Sequence, residues 1–165
     1  MTIESNTIGC VVSANVSERK GVRKTAVPSA EAVLDRGLLG DAHAGDWHRQ
    51  VSLLAIESIE RMRTAGADVG PGDFAENLTI SGLDLIALPL GSRLDVGSAR
   101  LEVSQHGKVC HDHCDIYRQV GDCVMPREGI FCVVTQAGTV APGDVVTVRA
   151  LGDGTFHRSS AEETR

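Results

Sequence analysis

The apolar, β-branched runs of this chain are short, and Gly, Pro or Asp closes nearly every one of them. Short strands joined at such spacing build a barrel or a sandwich with few helices. Residues Thr7 to Val16, Ala26 to Leu34, Val51 to Leu54, Asn77 to Ile80, Arg93 to Val96, Ala99 to Ser104, Ile130 to Thr135 and Val145 to Ala150 read as extended. Eighteen glycines supply the positive-φ positions that many turns need. Ala55 to Ala65 is the best helix candidate: Ile56, Ile59 and Met62 share one face, and Gly66 can close it. His111 to Val120 reads as a second, short helix stopped by Gly121. The glycine-rich stretch from Gly37 to Asp46 reads as a loop. The expected fold is therefore mostly β and barrel-like, with a few peripheral short helices.

A length of 165 residues, 42% of them hydrophobic, suits one core. Residues 1–150 are expected to form one domain, and the polar stretch 151–165 a flexible tail. A formal charge of −6, with both signs interspersed, gives no broad basis for binding nucleic acid or an anionic membrane. No apolar run approaches the roughly 20 residues that span a bilayer, and the N-terminus has no secretory pattern. The cytoplasm is the expected location.

Five cysteines cannot all pair within the chain, and a cytoplasmic setting keeps thiols reduced. Cys10 and Cys132 lie in apolar runs, where a thiol is expected to be a small buried hydrophobe. Cys110, Cys114 and Cys123 lie among polar residues, in and just beyond the run from Gln105 to Asp115. Lys108, His106, His111 and His113 can favour the thiolate of Cys110, the form that acts as nucleophile or ligand. Cys110, Cys114, Cys123 and His113 also supply donors for a zinc site, although their spacing differs from paired C-x2-C knuckles. Inert packing is the third alternative.

Two further clusters accompany them. Gly40, Asp41 and His43, followed by Arg49, can bind an oxyanion through loop amides and the guanidinium. A tight turn in which Asp41 bonds its own backbone is the structural alternative. Glu76 and Asn77, after Pro71-Gly72, can hydrogen-bond a heterocycle, or Asn77 can satisfy loop backbone groups.

Read in order, Gly9 to Ser13, Lys20-Gly21, Gly37-x-x-Gly40-Asp41-x-His43, Arg49 to Leu54, Pro71-Gly72-x-Phe74-x-Glu76-Asn77-Leu78, Gly82, Gly91, Cys110, Gly138 and Gly143-Asp144 resemble the MOSC family, the C-terminal domain of molybdenum-cofactor sulfurases. The segment from Gly107 to Phe131 resembles its small stand-alone branch. The resemblance implies a β-barrel-like fold and a sulfurtransferase-type role in which Cys110 carries a persulfide. It implies molybdenum cofactor (molybdopterin) or a related small molecule as acceptor. A separate cysteine desulfurase or other donor would supply the sulfur, with pyridoxal phosphate belonging to that partner. In this reading Lys108 or His111 stabilises the thiolate, and Cys114 or Cys123 resolves the persulfide. Asp41, His43, Arg49, Glu76 and Asn77 line the acceptor site. A non-catalytic cofactor- or metal-binding module is a competing reading. An enzyme that forms carbon–sulfur bonds or detoxifies hydroxylamino compounds is another. Where the family has Arg and Pro before the cysteine, this chain has Lys108 and Val109, and Lys does not reproduce the planar fork of Arg.

Overall fold

The structure, a computed structural model, describes residues 7–107 and 124–157. Its strands are β1 (Ile8–Val16), β2 (Thr25–Val27), β3 (Ala30–Val33), β4 (Gly37–Leu38), β5 (Val51–Ala55), β6 (Leu78–Ser81), β7 (Arg93–Val96), β8 (Ala99–His106), β9 (Ile130–Gln136), β10 (Gly138–Val140) and β11 (Val145–Ala150). Helix α1 (Ile56–Thr64) and the one-turn α2 (Met125–Glu128) lie between them. The expected helix over His111 to Val120 lies outside the described residues.

Seven strands close a barrel in the order β11-β7-β8-β9-β5-β6-β1, and β1 pairs back onto β11 through Ile8 and Thr147. Strand β2 extends the sheet from the far half of β1, where Ala14 faces Val27. Most neighbours run antiparallel, but β5 and β6 are parallel, with Leu53 opposite Leu78. A parallel pair needs a long crossover. Here α1 and the loop that follows it supply the connection. A small second sheet, β10-β3-β4, stands beside the barrel.

Alternation decides which residues fill the interior. Val51, Leu53, Leu78, Ile80, Leu94, Leu101, Val103, Ile130 and Cys132 point inward and pack as one aliphatic core. The barrel interior is filled by these side chains. A register shift between Val11 and Ser13 lets both Val11 and Ala14 face inward. Ser13 and Asn15 are thereby turned to the outer wall. A second apolar cluster, Leu54, Ile59, Val69, Phe74, Val124, Met125 and Phe131, packs on that outer wall beneath the helices.

Three expectations are corrected. Gly37 and Leu38, read as loop, pair with β3 as a two-residue strand. The extended region from Ala26 to Leu34 is two strands, because Pro28 and Ser29 interrupt it. Cys10 is half-buried, whereas Cys132 is buried as expected. Their difference follows from parity: Cys10 sits opposite Val145, itself exposed on the outer face.

Candidate functional site

The outer faces of β1, β5 and β6, with Asn77 just ahead of β6, carry polar residues that are nevertheless buried: Ser13, Asn15, Ser52, Asn77 and Thr79. The loop from Gly70 to Glu76 covers them. Asn77 Oδ1 accepts from the Ser52 amide at 2.9 Å, and its Nδ2 donates to the Asn15 carbonyl at 3.1 Å. Glu76 accepts from the Gly72 amide at 2.9 Å, the Phe74 amide at 3.2 Å and the Thr79 hydroxyl at 2.7 Å. Both side chains therefore organise the wall and the loop from within, and neither presents a polar atom to solvent.

That loop also positions Lys24, whose amide donates to the Gly72 carbonyl at 2.8 Å. Gly72 has φ +86°, and a Cβ there would stand 2.4 Å from the Lys24 carbonyl oxygen, so only glycine fits. The Lys24 side chain is wholly buried. Its Nζ donates to Asp41 Oδ1 at 2.8 Å and to Ser17 Oγ at 2.9 Å, and lies 3.0 Å from His43 Nδ1. Asp41 Oδ2 accepts the His43 amide at 3.0 Å, closing a local turn.

Several of the loop amides are spent internally. Asp41, Ala42, Ala44 and Gly45 donate to the carbonyls of Leu38, Ser17, Asp41 and Arg36. These four amides are therefore engaged within the fold, and the groups the loop turns outward are side chains. Trp47 anchors these. Its indole donates to the His43 carbonyl at 2.8 Å and lies parallel to the imidazole, with ring centres 6.5 Å apart. The Lys20 ammonium stands 4.6 Å and the Arg49 guanidinium 4.5 Å from the indole centre, both within cation–π range. Arg49 is also 5.8 Å from the Phe131 ring.

One more link joins this loop to β8. Gln105 Nε2 donates to the Gly107 carbonyl at 2.7 Å, which leaves Oε1 to accept from His48 Nε2, also at 2.7 Å. The Ser104 hydroxyl donates to the His48 carbonyl. Lys108, Cys110, His111, His113, Cys114 and Cys123 lie outside the described residues. Among the described residues no three His, Cys, Asp or Glu side chains are grouped to hold a metal. Likewise, no described helix is long and apolar enough to cross a membrane.

Of the five expected acceptor-site residues within the described chain, His43 and Arg49 reach the surface, while Asp41, Glu76 and Asn77 hold the platform beneath. Sequence reading missed Lys24, Trp47 and Asn15. Trp47 offered a signal, as the one tryptophan, set between two histidines and an arginine in a glycine-rich loop. Lys24 offered none.

Burial sets the two carboxyls apart. For Asp41 burial alone would raise the pKa, but the Lys24 ammonium, the Ser17 amide and the Asn77 side chain hold it below the ordinary range. For Glu76 burial outweighs the hydrogen bonds that its carboxyl accepts and raises the pKa. A raised carboxyl stabilises the fold fully below its unfolded pKa, and that contribution is lost as pH rises through the folded value. Asp41 acts in the opposite sense, losing its contribution as pH falls through its lowered value. Urea unfolding of wild type and Glu76→Gln across pH should therefore show wild type losing stability relative to the variant as pH rises. The difference in slope should reach at most about 1.4 kcal/mol per pH unit. Parallel profiles would show that Glu76 ionises in the folded protein as it does in the unfolded chain.

A closed barrel filled by its own side chains, with Lys20, His43, Trp47 and Arg49 clustered on the outside, defines a small β-barrel domain. The MOSC domain profile matches residues 40–147, and the chain belongs to that family, which is associated with the molybdenum cofactor. Solved structures share the fold. The YuaD protein from Bacillus subtilis is 20% identical with a TM-score of 0.68, the match covering 84% of this chain and 94% of that one. YiiM from Geobacillus stearothermophilus is 22% identical with a TM-score of 0.69, covering 90% and 78%. YiiM from Escherichia coli is 18% identical with a TM-score of 0.63, covering 97% and 84%. Curated protein sequences give no match.

Proposed function

We propose that this protein carries sulfur as a persulfide on Cys110 and delivers it to an anionic acceptor, molybdenum cofactor or a related molecule, held on the surface formed by His43, Trp47, Arg49 and Lys20. The observation that carries this reading is the hydrogen-bonded chain from Gly107 through Gln105 to His48. It ties the start of the segment bearing Cys110 to the loop bearing the cations and rings. Cys110 follows Gly107 by three residues, a stretch that covalent geometry limits to roughly 11 Å.

The residues present suit such an acceptor. Arg49 and Lys20 would hold its anionic group, while Trp47 and His43 offer flat faces to a heterocyclic ring. Molybdopterin, as a substrate, would bring both features. Asp41, Glu76 and Asn77 act on it indirectly, by fixing the loops.

In the transfer step the Cys110 thiolate attacks the terminal sulfur of a donor persulfide, such as one formed on a pyridoxal-phosphate-dependent cysteine desulfurase. A sulfur–sulfur bond forms on Cys110 as the donor's breaks, and the donor cysteine leaves as thiolate. Lys108 or His111 would stabilise the attacking anion. Attack by Cys114 or Cys123 on Cys110 Sγ then closes a disulfide and releases the terminal sulfur as hydrosulfide to the acceptor. A cellular dithiol reduces that disulfide and restores both thiols.

Mass spectrometry after incubation with a cysteine desulfurase, pyridoxal phosphate and cysteine tests the reading. Wild type should gain one sulfur and Cys110→Ala none. Equal loading of the two proteins would reject the role of Cys110.

A further inference from the structure

We propose that Lys24 is a positioning residue: anchored by Asp41, it fixes His43 as the tautomer that accepts at Nδ1 and carries its proton on Nε2. The loop then presents an imidazole N–H as a hydrogen-bond donor to a sulfur anion. The tautomer stands on geometry alone, and the donor role rests on the sulfur-transfer reading.

An ammonium has three donors and no acceptor. The 3.0 Å contact between Lys24 Nζ and His43 Nδ1 is therefore a hydrogen bond only when Nδ1 offers its lone pair. A doubly protonated ring, or a neutral ring with its proton on Nδ1, would set N–H against N–H at that distance. The ammonium cannot easily turn away. Asp41 Oδ1 holds it at 2.8 Å, and Ser17 Oγ accepts from it at 2.9 Å while donating its own proton to the Arg19 carbonyl.

The imidazole is equally constrained. Asp41 Oδ2 holds the His43 amide at 3.0 Å, the Trp47 indole holds its carbonyl at 2.8 Å, and the indole plane lies within 4° of the ring. Asp41 thus grips both the lysine that faces Nδ1 and the backbone that carries the ring. The His43 side chain is 16% exposed, so solvent reaches part of this otherwise enclosed group. Losing one buried hydrogen bond disfavours the alternative tautomer by on the order of ten to one or more.

The test uses the full chain with ring-15N histidine and long-range proton–nitrogen correlation near neutral pH, the His43 signals being assigned by their loss in His43→Gln. Wild type should show the neutral Nε2–H form. Lys24→Met should show mixed tautomers, and Lys24→Arg, which restores a donor, should return the Nε2–H form. Titration with thiosulfate should move the His43 Nε2–H signals in wild type. A wild-type ring protonated at Nδ1 overturns the proposal and requires no variant to fold. A folded Lys24→Met that keeps the pure Nε2–H form overturns the role of Lys24, and signals unmoved by thiosulfate overturn the donor role. Sulfur loading measured on the same wild-type sample separates the two readings. The expected tautomer without loading rejects only sulfur transfer, whereas loading with the other tautomer rejects only this proposal.

Discussion

Lys24→Met is expected to destabilise the fold by about 3–5 kcal/mol, the cost of leaving a buried carboxylate without its cation. The side chains of Lys24 and Asp41 are both 0% exposed, so water cannot replace the lost partner. Asp41 keeps two backbone donors, Ser17 at 3.0 Å and His43 at 3.0 Å, but no cation at bonding distance among the contacts described above. Lys24→Met/Asp41→Asn should recover most of the loss, because removing both charges removes the uncompensated one. Urea unfolding midpoints at unchanged m-value measure both effects. The loss should also change little with salt, since a buried pair is weakly screened. A cost below about 1 kcal/mol, the range of exposed pairs, would show that the pair is solvated.

The barrel was legible because its strands alternate and its turns are punctuated. The runs read at Val51 to Leu54, Arg93 to Val96 and Val145 to Ala150 match β5, β7 and β11 to within one residue, and the helix read over Ala55 to Ala65 contains α1. Strands β4 and β10 were missed because two or three residues carry no period. The site was half legible. Ser13 and Asn15 lie in a run that reads simply as extended, and nothing local shows that a loop some sixty residues away buries them on its outer face. Lys24 belongs to a run with Arg19, Lys20 and Arg23 that reads as solvated. Only its tertiary pairing with Asp41 sets it apart, and no local pattern encodes that partner. Asp41 and Asn77 read either as ligand contacts or as residues that satisfy nearby backbone groups, and the bonds they make are of the second kind. Their task is internal, because the loop amides and strand edges around them had to be satisfied before a ligand could be.

Asn77→Leu is the second large effect expected, a loss of about 2–4 kcal/mol from a change that keeps the branched heavy-atom skeleton and replaces the amide by two methyl groups. It would strand the Ser52 amide, bonded by Asn77 Oδ1 at 2.9 Å, and the Asn15 carbonyl, bonded by Nδ2 at 3.1 Å. Leucine has no polar atom for either, and Asn77 is 0% exposed, so water has no ready path to them. Thr79→Val provides the contrast. It removes one donor to Glu76 and keeps the shape, while the Gly72 and Phe74 amides still hold the carboxylate. Its cost should be about 1 kcal/mol. Ser52→Ala combined with Asn77→Leu should be less than additive, because the bond from the Ser52 hydroxyl to Asn77 Oδ1 at 3.2 Å is already lost in either single variant. The effect should extend to the surface around His43, since Asn77 Nδ2 holds the Asn15 carbonyl two residues before Ser17, whose amide donates to Asp41 and whose hydroxyl accepts from Lys24. Asn77→Leu should thus loosen the His43 tautomer as well as the fold, whereas Thr79→Val should leave it intact. A loss below about 0.5 kcal/mol for Asn77→Leu would mean that the outer wall is hydrated and that its polar residues do not form a closed network.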